Sequence, residues 1–252
     1  MQRPASVPFA SAVAVLTTVA AFAAPAGAQS SGDGFLFGRP RATLTLRGGY
    51  DQPAGRGPLF GFITDQVTLG RSSFGGASLN AELAVALNSR LDLAFSGGWA
   101  STARGSESRG FTNQDDTPIT QTTSLRRAPL GASLKAYLAP RGRGIGQFAW
   151  IPARVAPFVG AGGGSVYYRL RQEGSFVDAA TLNIFDAGLE SSGWAPAGFA
   201  FGGADVTLSP RFVLSGELRY TVARGALRGS FSDVGKIDLS GAAANVGIGV
   251  RF

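Results

Sequence analysis

The sequence contains neither cysteine nor histidine. The first absence rules out disulfides and thiolate metal sites. The second removes the commonest general base, so Ser-His-Asp and Asp-His catalysis and histidine-ligated metals are excluded. Charge is sparse as well: 15% of the 252 residues are Asp, Glu, Lys or Arg, set against 37 glycines and 18 phenylalanines. A helical protein would carry more Leu, Glu and Lys. Glycine with aromatics suits β-structure in which backbones approach closely. Beyond residue 28 no apolar run approaches the ~18 residues that a membrane-crossing helix requires. Any membrane-spanning structure here must therefore be built of strands that close on themselves.

The first 28 residues read as an export signal. Arg3 supplies a positive start, "AVAVLTTVAAFAA" from Ala12 to Ala24 an apolar stretch, and Ala26-Gly27-Ala28 a small-x-small cleavage site. Thirteen residues are too few to cross a bilayer at ~1.5 Å per residue. The expected domain plan is a signal peptide at 1–28 and one exported domain at 29–252, beginning at Gln29.

The remaining chain alternates between apolar and polar or small residues, the period of a strand. "ATLTLRGGY" (42–50) sets Leu44, Leu46 and Tyr50 against Thr43, Thr45 and Arg47. "SLNAELAVAL" (78–87) sets Leu79, Leu83, Val85 and Leu87 against Asn80 and Glu82, and "RLDLAFSGGWA" (90–100) sets Leu91, Leu93, Phe95 and Trp99 against Asp92 and Ser96. "PLGASLKAYL" (129–138) opposes Leu130, Leu134 and Leu138 to Ser133, Lys135 and Tyr137, and "RFVLSGELRYTV" (211–222) opposes Phe212, Leu214, Leu218, Tyr220 and Val222 to Ser215, Glu217 and Arg219. The last strand, ending "ANVGIGVRF", puts Ala242, Ala244, Val246, Ile248, Val250 and Phe252 on one face. Two Gly-rich segments alternate less clearly. In 155–170, Phe158, Val166, Tyr168 and Leu170 are assigned to the apolar face; 194–208 is apolar on both sides.

Eight strands result. The connections after strands 1, 3, 5 and 7 are long (51–76, 101–120, 171–192 and 223–236), whereas 88–90 and 209–211 are tight turns and 139–153 is a long exception. Long loops at one end and short turns at the other is the layout of a membrane barrel. The polar faces carry Arg47, Glu82, Asp92, Lys135, Glu217 and Arg219, three basic and three acidic. An eight-stranded barrel is just wide enough for side chains to fill, and a balanced set can pair off inside it. Tyr50, Trp99, Tyr168, Tyr220 and Trp194 collect at the long-loop ends, and Phe158, Phe212 and Phe252 at the other. Two aromatic girdles around an aliphatic band are what lipid interfaces select.

From the signal segment to the terminal phenylalanine the chain resembles the eight-stranded outer-membrane barrels of the OmpA and OmpX type. The resemblance implies an all-β, antiparallel up-and-down barrel in a bacterial outer membrane, a monomer in contact with lipid and lipopolysaccharide. It also implies that Val246, Ile248, Val250 and Phe252 form the signal read by the barrel-assembly machinery. The expected role is structural or interactive, through four long surface loops around a plugged lumen, with no enzymatic activity, cofactor or metal. The alternative is a narrow OmpW-like channel for small or apolar solutes. "GAGGGS" (160–165) lacks the Lys-Ser/Thr ending and following helix of a phosphate loop and reads as lumen-facing small residues. Asp115 and Asp116 read as a solvated loop tip. Arg104, Arg109, Arg224 and Arg228 are placed at the rim near lipid headgroups, and Trp150 in the 139–153 connection is expected to dip into them. Dispersed basic residues without interleaved aromatics give no nucleic-acid surface.

Overall fold

The computed structural model describes residues 34–146, 148–178, 181 and 183–252; the predicted signal segment and Gln29 lie outside the described residues. In chain order the strands are β1 (Leu36–Phe37), β2 (Ala42–Pro53), β3 (Gly76–Ala86), β4 (Leu91–Thr112), β5 (Pro118–Tyr137), β6 (Gly142–Ile145), β7 (Ala149–Pro152), β8 (Val155–Val177), β9 (Ile184–Thr207), β10 (Phe212–Ala226), β11 (Lys236–Asp238) and β12 (Gly241–Arg251). Eight of them form one ring, β12-β2-β3-β4-β5-β8-β9-β10, in which β10 returns to β12. Every pairing is antiparallel, and the seam joins the first and last ring strands from Gly241↔Pro53 to Arg251↔Thr43. The protein is an eight-stranded antiparallel up-and-down barrel.

The strands differ greatly in length. β2, β3, β10 and β12 run 12, 11, 15 and 11 residues, whereas β4, β5, β8 and β9 run 22, 20, 23 and 24. The excess of about ten residues per strand, ~30 Å at ~3.3 Å each, stands beyond the ring as a four-stranded wall. The expected loops at 101–120 and 171–192 are therefore mostly strand: the true connections shrink to 113–117 and 178–183. These segments alternate too weakly between polar and apolar for a strand to be read there, because the inner, buried face of the wall carries polar Gln121, Thr123, Gln172 and Ser191 beside Ile119, Leu125 and Leu170. The 51–76 connection is also not open loop. It holds α1 (Pro58–Gln66), with proline in its first turn where no N–H is needed, and a 3-10 turn at Arg71–Phe74.

Both exposed edges of the wall are covered. On β4, the Thr68 amide donates to the Glu107 carbonyl at 2.9 Å and the Glu107 amide to Thr68 Oγ1 at 2.9 Å. On β9, the Arg228 amide donates to Ser191 Oγ at 2.9 Å, beside a second 3-10 turn at Gly229–Val234. Covered edges resist pairing with other chains.

At the turn end, β6 and β7 form a hairpin that leaves the ring between β5 and β8. It pairs with β1, which leads into β2 on the opposite side, so a three-stranded sheet crosses the mouth.

Candidate functional site

The ring's exterior is apolar. Leu46, Leu79, Phe95, Leu130, Leu134, Leu218, Val246 and Ile248 are exposed on it, while Arg47, Glu82, Asp92, Lys135, Glu217 and Arg219 are buried inside. Tyr50, Trp99, Trp194 and Tyr220 point outward at the loop-end level, and Phe212 and Phe252 at the turn end, with Val250 beside them. A closed ring that is hydrocarbon outside and ionic inside is a transmembrane β-barrel.

Tyr168 is an exception to the expected facing. It is 0% exposed, inside the ring, with Phe158, Val166 and Leu170; the girdle position belongs to its neighbour Tyr167, whose ring lies 5.3 Å from that of Trp194. The physical cause is the filling of the loop-end lumen. Leu59, Phe60 and Ile63 of α1, with Val67, Leu69 and Phe74, pack against Leu125, Val166, Tyr168, Leu170, Ala195 and Ala223 from the inner wall. Polar-inside alternation fails wherever polypeptide hydrocarbon replaces water. The Tyr168 hydroxyl is satisfied by the Ala226 carbonyl, and Arg109 Nε fastens α1 to β4 by donating to the Val67 carbonyl at 2.7 Å.

The turn-end half of the lumen is filled by charge. Glu82 on β3 is the node. Its Oε1 accepts from Arg47 Nη2 at 3.1 Å and lies 3.4 Å from Lys135 Nζ, and its Oε2 is 4.0 Å from Arg219 Nη2. Glu217 takes Arg219 Nε at 2.9 Å and lies 3.5 Å from Arg47 Nη1. Ser215 Oγ accepts from Arg47 Nε at 3.2 Å. Asp205 completes the set, 3.5 Å from Lys135 Nζ and accepting from the Tyr137 hydroxyl at 2.9 Å. Three cations thus face three carboxylates contributed by five different strands.

Aromatic rings carry the cations from the other side. Lys135 Nζ sits 3.8 Å from the Phe158 ring centre, and the Arg219 guanidinium 4.7 Å and 5.2 Å from Phe199 and Phe201. Gly160 and Gly131 make this possible. A Cβ added at Gly160 would collide with the Phe201 ring, and one at Gly131 would lie 2.8 Å from Phe199.

Asp92 belongs to a separate layer nearer the turns, where its Oδ2 accepts from Arg141 Nη1 at 3.0 Å. Arg251 lies beneath, donating to Thr207 Oγ1 at 3.2 Å and stacked 5.5 Å from Trp150. Trp150 is accordingly buried against the barrel floor and does not reach lipid headgroups. Between the ionic and apolar fillings, Arg127 pairs with Asp51 at 3.1 Å. A cavity of about 60 Å³ beside them is lined by Asn80, Ser96, Arg219, Thr221 and Asn245, room for about two waters.

The alternation identified six charged groups but missed Asp205, Arg141, Arg127 and Asp51. Asp205 carried a usable signal: it is the only charged residue in 194–208, and turning it inward would have set Trp194 outward and Phe199 and Phe201 inward. Arg141 gave none, lying in a connection.

No protein family and no curated sequence matches the chain. Solved structures similar to it include Neisserial surface protein A (13% identity, 87% of this chain and 98% of that one, TM-score 0.43). Others are outer membrane protein OprG from Pseudomonas aeruginosa (14%, 85% and 98%, 0.43) and a major outer membrane protein from Thermus thermophilus (14%, 84% and 99%, 0.44).

Proposed function

We propose that the chain is a non-enzymatic outer-membrane protein whose lumen is closed and whose working part is the four-stranded wall, presented at the cell surface as an interaction platform. The observation that carries this is the coexistence of a filled lumen with a long, edge-protected wall that the barrel itself does not need. In this reading the turn end is periplasmic and the loop end extracellular. The barrel is a monomer in lipid and lipopolysaccharide. Val246, Ile248, Val250 and Phe252, on one outward row of the closing strand, are the residues offered to the assembly machinery. With no histidine in the chain, the wall's role is binding.

Planar-bilayer recording of the purified protein tests the closed lumen: no steady current is expected, whereas sustained conductance supports the OmpW-like channel instead. Cells carrying a chain shortened symmetrically across 103–124 and 171–190 test the wall. Such cells should lose surface binding while the barrel still inserts; unchanged binding would remove the platform reading.

A further inference from the structure

Each of the four ring strands that rise from the turn end follows directly on an arginine: Arg41 before β2, Arg90 before β4, Arg154 before β8 and Arg211 before β10. Rising and descending strands alternate around the ring, so the four arginines are distributed around the whole rim. Arg41, Arg90 and Arg154 are exposed and Arg211 is half-buried; Arg39 and Arg143 add two more exposed arginines.

Segments 34–41, 87–90, 138–154 and 208–211 contain no aspartate or glutamate. The acidic side chains of the strand ends beside them, Asp92 and Asp205, are buried and already matched to Arg141, Lys135 and Tyr137. The loop end is different: its arginines come with acids, as in Arg169–Glu190, Arg171–Glu173 and Arg224–Asp238. The one-sided charge therefore belongs to the turn end and is not a general basicity of the chain.

The sheet across this mouth adds an apolar face. Trp150 points toward the barrel floor. On the opposite face Phe37, Ala149 and Ile145 form one cross-strand row, with Arg143 and Ile151 alongside. Phe37 and Ile145 are exposed, and Phe148 at the hairpin tip is 74% exposed. The hairpin reaches the side of the rim where β1 leads into β2, next to the lipid-facing Phe252.

We propose that the turn end is a phospholipid-binding foot. Phe37, Ile145 and Phe148 enter the boundary between headgroups and acyl chains, and Arg39, Arg41, Arg90, Arg143, Arg154 and Arg211 hold the phosphates of anionic phospholipids in the periplasmic leaflet. This rests on the reading of the chain as an outer-membrane barrel. Guanidinium forks match phosphate oxygens two at a time, and basic side chains beside aromatics are the composition of an anionic lipid interface. Circumference selects the occupant: a leaflet surrounds the barrel and meets all four rim arginines, whereas a docked acidic protein meets one sector.

The test uses the full chain in vesicles of equal parts phosphatidylcholine and phosphatidylglycerol, with spin-labelled versions of each lipid reporting the fraction immobilised on the protein. Phosphatidylglycerol should be favoured about two-fold or more at low salt, and the preference should fade near ~0.5 M salt. The variant Arg41→Gln, Arg90→Gln, Arg154→Gln, Arg211→Gln should bring selectivity to parity. A loop-end control, Arg126→Gln, Arg169→Gln, Arg171→Gln, should retain it. Insertion without selectivity, or selectivity lost only in the loop-end control, overturns the foot and leaves the barrel reading standing. Failure of the wild-type chain to insert overturns both.

Discussion

The lumen is filled by ion pairs in the half nearest the turns and by apolar side chains in the half nearest the loops. The ionic half is built from the ring strands themselves. Glu82, Arg47, Lys135, Glu217, Arg219 and Asp205 each hang from a ring strand, and their contacts tie β2, β3, β5, β9 and β10 together. The apolar half is delivered by connections: α1 with its flanking residues, and Leu227, Phe231, Ile237 and Leu239 between β10 and β12, all laid against inner-face residues made apolar to receive them. The difference teaches where each filling can be disturbed. Ionic filling cannot be withdrawn without leaving buried charge, whereas the α1 plug can be lifted out without breaking a hydrogen bond between ring strands.

Four predictions break or sharpen this contrast. Glu82→Ala strips Arg47, Lys135 and Arg219 of their shared carboxylate and should destabilise the whole barrel by about 3–5 kcal/mol. Urea unfolding in detergent or lipid would read the loss, and an unchanged midpoint would mean the node contributes nothing. Leu46→Arg comes next. The guanidinium group that is paired at Arg47 would meet hydrocarbon one residue away, costing about 2–4 kcal/mol near the bilayer midplane. A Leu46→Arg barrel as stable as the parent would show that this face is not in lipid.

Leu59→Ala should cost about 2 kcal/mol, the low end for a buried leucine, since a connection can settle around the gap. Its effect should be confined to the plug: faster proteolysis within 54–75 with an unaltered barrel transition. A matching fall in the barrel transition would erase the distinction between the two halves. The smallest effect concerns the wall. Bonds from Arg169 hold the Glu190 carboxyl below its ordinary range. A lowered folded-state pKa gives stability that is full above the unfolded value and lost as pH falls through the folded one. Amide exchange in the paired segments 171–177 and 184–190 should therefore quicken on acidification below the ordinary carboxylate range, while the Glu190→Gln wall should show little of that response.

Strand alternation was legible where one face carried charge, and there the sequence placed Arg47, Glu82, Lys135, Glu217 and Arg219 together. It misled in β8, where glycine and tyrosine on both faces left no polar residue to mark the inside, and Tyr168 went to the wrong side. It was also silent on the wall. There the buried face itself carries Thr102, Ser106, Gln172 and Ser191, so burial leaves little apolar alternation and residues 101–120 and 171–192 read as loop.

The sequence by itself determined that no segment beyond residue 28 is long and apolar enough to cross a membrane as a helix, that the strands are two-faced, and that no histidine chemistry is available. These follow from composition and period, which are local. Only the tertiary structure decided what fills the barrel, because that depends on which connection folds back into the mouth and which charges from distant strands arrive at one depth. Glu82 meets Arg219 from 137 positions away along the chain (219 − 82), and only ring closure brings them within 4.0 Å.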